Sequence, residues 1–151
     1  MLAGDPEATR WRDLETTYAS SPIHRALALR LAVRGSGDVE VTYEGTGMGG
    51  NLDGVVSGGA LSALIDSAVV QCCRTLADDS YRYSTIEMKI NFLCPAPASS
   101  VLTATATIWR NGRTIAVGMA EVRDADNGVV AAGVVTVAKR PVRRAYDRLA
   151  T

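Results

Sequence analysis

The segment from Gly58 to about Ala77 is apolar on nearly every face of a helix, and it limits the fold more than any other feature. A helix of that kind has to be buried on all sides. The segments around it alternate with a period of two, which predicts strands. We therefore expect an α+β domain in which a curved antiparallel sheet wraps around one long buried central helix.

The other elements are predicted from turn residues and alternation. A polar helix over residues 6–19 follows a good start signal, with Asp5 as the cap and Pro6 at the first helical position. Strands are expected at residues 28–34, 39–43, 84–94, 101–110, 114–123 and 129–138, with Asn111-Gly112 as the clearest hairpin turn. We expect a single domain over residues 1–151, with 1–22 as a helical extension and 140–151 as a C-terminal tail.

Charge and cysteine content exclude several classes of function. Sixteen basic residues balance sixteen acidic ones, which argues against a broad nucleic-acid-binding face. Three cysteines and one histidine, His24, suggest neither a disulfide framework nor a zinc site. No segment reads as a signal peptide or a membrane span, so we expect a cytoplasmic protein with no metal and no membrane partner.

The start of the apolar helix carries the chemistry. The run Asn51-Leu52-Asp53-Gly54-Val55-Val56-Ser57-Gly58-Gly59 leads into it, and Asp66 follows seven residues later. The unpaired N–H groups of a helix N-terminus stabilise a developing negative charge. A carboxylate among apolar residues is costly unless it has a partner or a task. The two features together suggest acyl transfer.

This element order and the Asn51…Asp66 run resemble the hotdog-fold acyl-CoA thioesterases, and in particular the phenylacetate-pathway (PaaI-like) group. The positions that match the family pattern are Asn51, Gly54, Gly58, Gly59 and Asp66, and the strand ending in Phe92-Leu93-Cys94-Pro95-Ala96 fits as well. The resemblance covers about residues 23–139. It implies a hotdog fold and hydrolysis of an acyl-CoA or acyl-carrier-protein thioester, with no cofactor because coenzyme A is part of the substrate. The family's histidine is Ser57 here.

The resemblance assigns catalytic roles that each have a structural alternative. Asp66 becomes the nucleophile or the general base, although a buried acid can also serve as a hydrogen-bond partner. Gly58 offers its N–H to the carbonyl oxygen, although glycine also suits a tight turn. Thr85 orients water, although threonine is an ordinary strand residue. Asn51 contacts the substrate or stabilises its loop. Ser57 belongs to the site or caps the helix.

Further residues are candidates for substrate binding. The uncharged ones are Gly54, Gly59 and Ser84. Arg110, Arg113 and Lys139 either hold the phosphates of coenzyme A or form a solvated face. An apolar tunnel for the acyl group, or simply the core, would include Val55, Val56, Ala60, Leu64 and Phe92.

The distance between Gly58 and Asp66 predicts an oligomer. Asp66 lies eight residues beyond Gly58 on one helix, a separation of roughly 12 Å, but one thioester carbon has to lie about 3 Å from each. Two antiparallel copies of the helix would solve this, so we expect a homodimer, or a dimer of dimers, with shared sites. A non-catalytic acyl-thioester-binding protein is the alternative, favoured by Ser57. A hotdog dehydratase is disfavoured, because the only histidine is His24.

Overall fold

The computed structural model describes residues 5–45, 48–77 and 79–142. Within these residues, three helices and six strands follow one another. They are α1 (Pro6–Ser20), α2 (Pro22–Ala26), β1 (Leu29–Gly35), β2 (Asp38–Tyr43), α3 (Gly58–Thr75), β3 (Tyr81–Phe92), β4 (Leu102–Asn111), β5 (Ile115–Arg123) and β6 (Val129–Pro141). No helix among the described residues is long and apolar enough to span a bilayer.

The six strands form one antiparallel sheet in the order β1-β2-β4-β5-β6-β3. Strand β3 returns to the outside of β6 and pairs with it from Tyr81↔Pro141 to Phe92↔Ala131. This leaves β1 and β3 as the two edges of the sheet.

The core lies between the sheet and α3. Alternate residues of the strands are buried against the helix, as at Leu102 and Ala104 of β4 and Val135 and Val137 of β6. Helix α3 contributes Leu64, Ile65, Ala68 and Val69 to the same cluster. The predicted curved sheet around one central helix is confirmed.

Several element boundaries differ from those predicted. Strand β3 begins at Tyr81 instead of residue 84, and β6 continues to Pro141 instead of ending at 138. Each extension supplies the backbone partners of the other, which local sequence cannot reveal. Residues 140 and 141 of the predicted tail are thus in the sheet, and residues 143–151 lie outside the described residues.

The N-terminal extension packs against the rest of the domain. Trp11 and Tyr18 of α1 are buried. Glu15 accepts a hydrogen bond of 2.7 Å from the backbone N–H of Val33 on edge strand β1. Arg10 donates to the carbonyl of Arg74 at the end of α3, at 2.9 Å. Helix α1 therefore connects the β1 edge of the sheet to the C-terminal end of the central helix.

Helix α2 holds the only histidine against α1. The rings of His24 and Tyr18 stack with their centroids 3.7 Å apart. The Nδ1 atom of His24 lies 2.8 Å from the carbonyl oxygen of Tyr18. The histidine is therefore part of the packing of the N-terminal extension.

Candidate active site

The loop before α3 is held by its own hydrogen bonds. The side-chain oxygen of Asn51 accepts from the N–H groups of Asp53, at 3.0 Å, and Val55, at 3.2 Å. Gly54, which closes this turn, has a φ of +75°, a conformation that glycine adopts without strain. The carbonyl oxygen of the Asn51 side chain thus has the structural role that sequence offered as one alternative.

Ser57 caps the helix that the loop leads into. Its hydroxyl accepts from the N–H of Ala60 at 3.2 Å, which is the geometry of a side-chain N-cap. Gly58 and Gly59 then occupy the first two helical positions and are exposed. The N–H groups of a first turn have no partner within the helix, so this end of α3 can accept an anionic oxygen.

Asp66 lies on the one face of α3 that is not fully buried. This open face consists of Ser62, Asp66, Val70 and Arg74, spaced four residues apart. The expectation that α3 is buried on every side was wrong along this line. Its half-buried position leaves Asp66 within reach of solvent and of a substrate.

Thr85 is the hydrogen-bond partner of Asp66. The threonine hydroxyl of β3 donates to the Oδ1 atom of the carboxylate. Among the described residues no donor is bonded to Oδ2. One carboxylate oxygen is thus held in place while the other remains available for chemistry.

Tyr18 of α1 lies close to the same carboxylate. Burial raises the pKa of Tyr18 to about 12, an interaction with the Ser67 hydroxyl lowers it, and the charge of Asp66 raises it. Tyr18 is not part of the sequence motif. A weak signal existed, because Trp11, Leu14 and Tyr18 recur at spacings of three and four, which is typical of one buried helix face.

Phe92 covers the start of α3. A Cβ atom placed on Gly58 would come within 3.2 Å of the Phe92 ring, at the far end of β3 from Thr85. Gly58 and Asp66 belong to the same helix, as predicted, with seven residues between them. The end of β3 at Phe92 therefore lies by the glycines, and the middle of the strand, at Thr85, lies by the acid.

The three basic candidates occupy different environments. Arg110 and Arg113 are exposed at the β4–β5 turn. Lys139 is only 7% exposed. Its ammonium donates to Asn111 at 2.8 Å and lies 4.8 Å from the centre of the Tyr81 ring. The solvated face offered as one alternative is therefore wrong for Lys139, because sequence alone cannot show that an aromatic ring and an amide enclose it.

The remaining candidates divide between surface and core. Ser84 is exposed on β3, next to the half-buried Thr85. Val56, Ala60 and Leu64 belong to the hydrophobic core, which is one of the two alternatives that the sequence left open for them. Phe92 is 56% exposed.

The cysteines do not form a nucleophilic site. Burial raises the pKa of the Cys72 thiol to about 11 and that of Cys73 to about 12. Both thiols are protonated at neutral pH and are weak nucleophiles as a result. Cys94 is exposed.

The sequence matches the thioesterase superfamily over residues 53–131, just over half of the chain. The chain belongs to the thioesterase superfamily. The matched segment includes Gly58, Asp66 and Thr85, the residues around which the site is built. None of the curated proteins matches the chain.

Solved structures of this thioesterase fold agree with that membership. A thioesterase from Haemophilus influenzae is 20% identical, with a TM-score of 0.80 over 87% of this chain and 91% of its own. The Escherichia coli PaaI protein is 23% identical, with a TM-score of 0.78 over 90% and 96%. Thermus thermophilus PaaI, as a point mutant, is 25% identical, with a TM-score of 0.69 over 78% and 98%. The predicted hotdog fold and its PaaI-like resemblance are confirmed.

Proposed function

We propose that this protein hydrolyses the thioester bond of an acyl-CoA, or of the same acyl group on a carrier protein. The observation that carries the proposal is the half-buried Asp66 carboxylate, held by Thr85 on the open face of α3. Membership of the thioesterase superfamily supports the same reaction.

The chemistry needs one base or nucleophile and one oxyanion donor. The unbonded oxygen of Asp66 either attacks the carbonyl carbon or takes a proton from the water that attacks it. The Gly58 N–H, aided by the dipole of α3, stabilises the negative charge on the carbonyl oxygen. With Asp66 as base, the proton that it takes from water passes to the sulfur as the C–S bond breaks, and coenzyme A leaves as its thiol beside the carboxylic acid. With Asp66 as nucleophile, the C–S bond breaks to give a mixed anhydride and the thiolate of coenzyme A, and water then hydrolyses the anhydride to the carboxylic acid and the free Asp66 carboxylate.

The Asp66 carboxylate and the Gly58 N–H can act on one thioester if each comes from a different copy of the chain. Strand β3 is a long sheet edge. It carries four exposed apolar residues at its edge and just beyond it, namely Ile86, Met88, Phe92 and Leu93. An unpaired edge with apolar side chains favours pairing with another strand. We infer a homodimer in which two β3 edges pair across a twofold axis.

The bulge in β3 supports one particular register for that pairing. Thr85 and Phe92 both face α3, although they are seven residues apart, because Ile86 is an extra residue in the ladder. Antiparallel pairing that sets Thr85 opposite the partner's Phe92 keeps both helices on one side of a continuous sheet. It also brings Asp66 towards Gly58 of the partner subunit, with Lys89 at the twofold axis.

The surroundings of the site suggest how the substrate is held. Arg110 and Arg113, which are exposed, have the charge to bind the phosphates of coenzyme A.

The outer face of the sheet, where Trp109 is 57% exposed, offers a second surface for a dimer of dimers. The three unpaired thiols suit the reducing conditions of the cytoplasm.

A second candidate function is binding of an acyl thioester without turnover. The observation that favours it is Ser57, whose hydroxyl caps α3 where the family pattern has a histidine. Such a protein would bind acyl-CoA through the same open face and release it unchanged.

A panel of acyl-CoAs distinguishes the two candidates. Products are separated by chromatography, because the exposed Cys94 would react with thiol reagents. The enzyme proposal expects hydrolysis that falls at least ~10²-fold in Asp66→Asn. Saturable binding of an acyl-CoA by the wild-type protein, with no hydrolysis above that of Asp66→Asn, would instead establish the binding protein.

A further inference from the structure

A cavity of about 560 Å³ lies between α1, the end of α3 and the start of β3. Its walls include Leu14 and Thr17 of α1, Arg74 of α3, and Tyr81 and Tyr83 of β3. This volume is within the range of small-molecule sites. The sequence motif does not include any of these residues.

The cavity lies further along β3 and α3 than the candidate catalytic acid, which is not one of its wall residues. Tyr83 lies two residues before Thr85 on the same face of β3, a separation of roughly 7 Å. Arg74 lies eight residues beyond Asp66 on the open face of α3, a separation of roughly 12 Å. A thioester carbon held at Asp66 is therefore within roughly 7 to 12 Å of the cavity walls at Tyr83 and Arg74, a distance that one of its two substituents can span.

The acyl group fits the cavity better than coenzyme A does. A nucleotide with its long pantetheine arm exceeds a space of about 560 Å³. A short or medium acyl group, extending from Asp66 towards Arg74, has a suitable length. The two tyrosine rings and Leu14 would cover its apolar part.

The cavity is lined by charges of both signs, Arg10, Arg74 and Arg82 against Asp13 and Asp79, and so has one net positive charge among the described residues that line it. Arg10 is paired with Asp79 at 3.2 Å and bonds to the carbonyl of Arg74. The guanidinium of Arg74 itself, by contrast, has no hydrogen bond or ion pair with any part of the chain that the structure describes. A planar guanidinium at the end of a half-enclosed cavity suits a carboxylate.

We propose that the acyl group bound here ends in a second carboxylate, so that the substrate is the mono-thioester of a dicarboxylic acid. The apolar part lies between Tyr83 and Leu14, and the terminal carboxylate pairs with Arg74. This proposal rests on the proposed function for the position of the thioester.

Matched substrates test the assignment. Adipoyl-CoA and hexanoyl-CoA have the same number of carbons and differ only in the terminal carboxylate. The wild-type protein should have the higher kcat/KM for adipoyl-CoA. Arg74→Gln should lower that value about 10-fold or more, as expected for a lost charged hydrogen bond, and leave hexanoyl-CoA nearly unchanged. Arg12→Gln, on the same α1 wall element but outside the cavity, is the matched control and should change neither.

A binding measurement separates this inference from the proposed function. Calorimetry with Asp66→Asn protein compares the affinities for the two thioesters in the absence of turnover. A preference for adipoyl-CoA that disappears in the Asp66→Asn, Arg74→Gln double variant supports the cavity assignment even if the wild-type protein hydrolyses nothing. Equal affinities, or a preference that Arg74→Gln leaves intact, overturn it even if hexanoyl-CoA is hydrolysed.

Discussion

The Thr85 hydroxyl donates a hydrogen bond to the Asp66 carboxylate, and so joins edge strand β3 to the open face of the central helix. The contact fixes one carboxylate oxygen and leaves the other without a donor among the described residues. A carboxylate held in this way is oriented before any substrate arrives. Its orientation and its charge therefore have separable effects on turnover.

Removing the charge tests the reactive role of Asp66. Asp66→Asn keeps an oxygen that can accept from Thr85, so the fold should survive, while kcat should fall at least ~10²-fold. Steady-state kinetics and a melting curve measure the two effects. Asp126→Asn, in the exposed β5–β6 turn, is the control. A folded Asp66→Asn protein with near-normal turnover would reject the assignment.

Removing the hydrogen bond tests the orientation of Asp66. Thr85→Val keeps the side-chain shape but loses the donor, and should lower kcat by about 10-fold or more, given the usual strength of hydrogen bonds to charged groups. Thr85→Ser retains the hydroxyl and should recover most of the activity. Equal turnover in the Val and Ser variants would mean that the contact does not matter for catalysis.

Ser57 tests the departure from the family pattern. Ser57→Ala should cost about 1 kcal/mol of stability, because the N–H of Ala60 loses its cap. Ser57→His should be destabilised similarly but should retain activity, since an imidazole adds a donor near the carbonyl. Chemical denaturation and kcat/KM are measured on the same samples. Lost activity at unchanged stability would show that the Ser57 hydroxyl itself takes part in the reaction.

A single cysteine tests the pairing of the two β3 strands. In a Cys94→Ser background, Lys89→Cys should form a disulfide-linked dimer under mild oxidation, because residues opposite one another across a strand pair have Cβ atoms about 5 Å apart. Asn91→Cys, exposed on the same strand, should not form this disulfide, since the two residues at position 91 of the dimer would be on the order of 13 Å apart. Non-reducing electrophoresis measures both. Sedimentation of the unmodified protein as a fully active monomer at micromolar concentration would contradict the dimer itself.

Alkaline pH tests the burial of Tyr18. Its pKa is raised to about 12 by burial, so the unfolded chain ionises first as pH rises above the usual 10. The neutral phenol thus stabilises the fold fully below pH 10, and that contribution declines between pH 10 and 12. Between pH 8 and pH 11 the free energy of unfolding should fall in both proteins, and it should fall by about 1.4 kcal/mol more in the wild type than in Tyr18→Phe. Equal losses of unfolding free energy in the wild type and in Tyr18→Phe would show that the phenol is exposed to water.

The sequence was most informative where local pattern decides structure. The apolar period of α3, the cap at Ser57 and the Asn111-Gly112 turn each depend on nearby residues, and the structure has all three. Contacts between distant residues were not predictable. Arg10 pairs with Asp79, which is 69 residues away, and this pair lies at the cavity that no motif indicates.

Burial of charge was the other point at which sequence fell short. Lysine is a residue type usually found at the surface, yet Tyr81 and Asn111 enclose Lys139. The length of β3 was underestimated for a related reason. Tyr81 and Arg82 become strand residues through their pairing with β6, which local propensity does not contain.

The stacked rings of Tyr18 and His24 provide a spectroscopic probe of the N-terminal extension. With one histidine in the chain, the imidazole gives an unambiguous set of aromatic proton resonances. The ring current of Tyr18, 3.7 Å away, should shift those resonances upfield while α1 and α2 remain packed together. Ligand titrations followed at this one signal would report whether filling the cavity under α1 moves the helix, without any label.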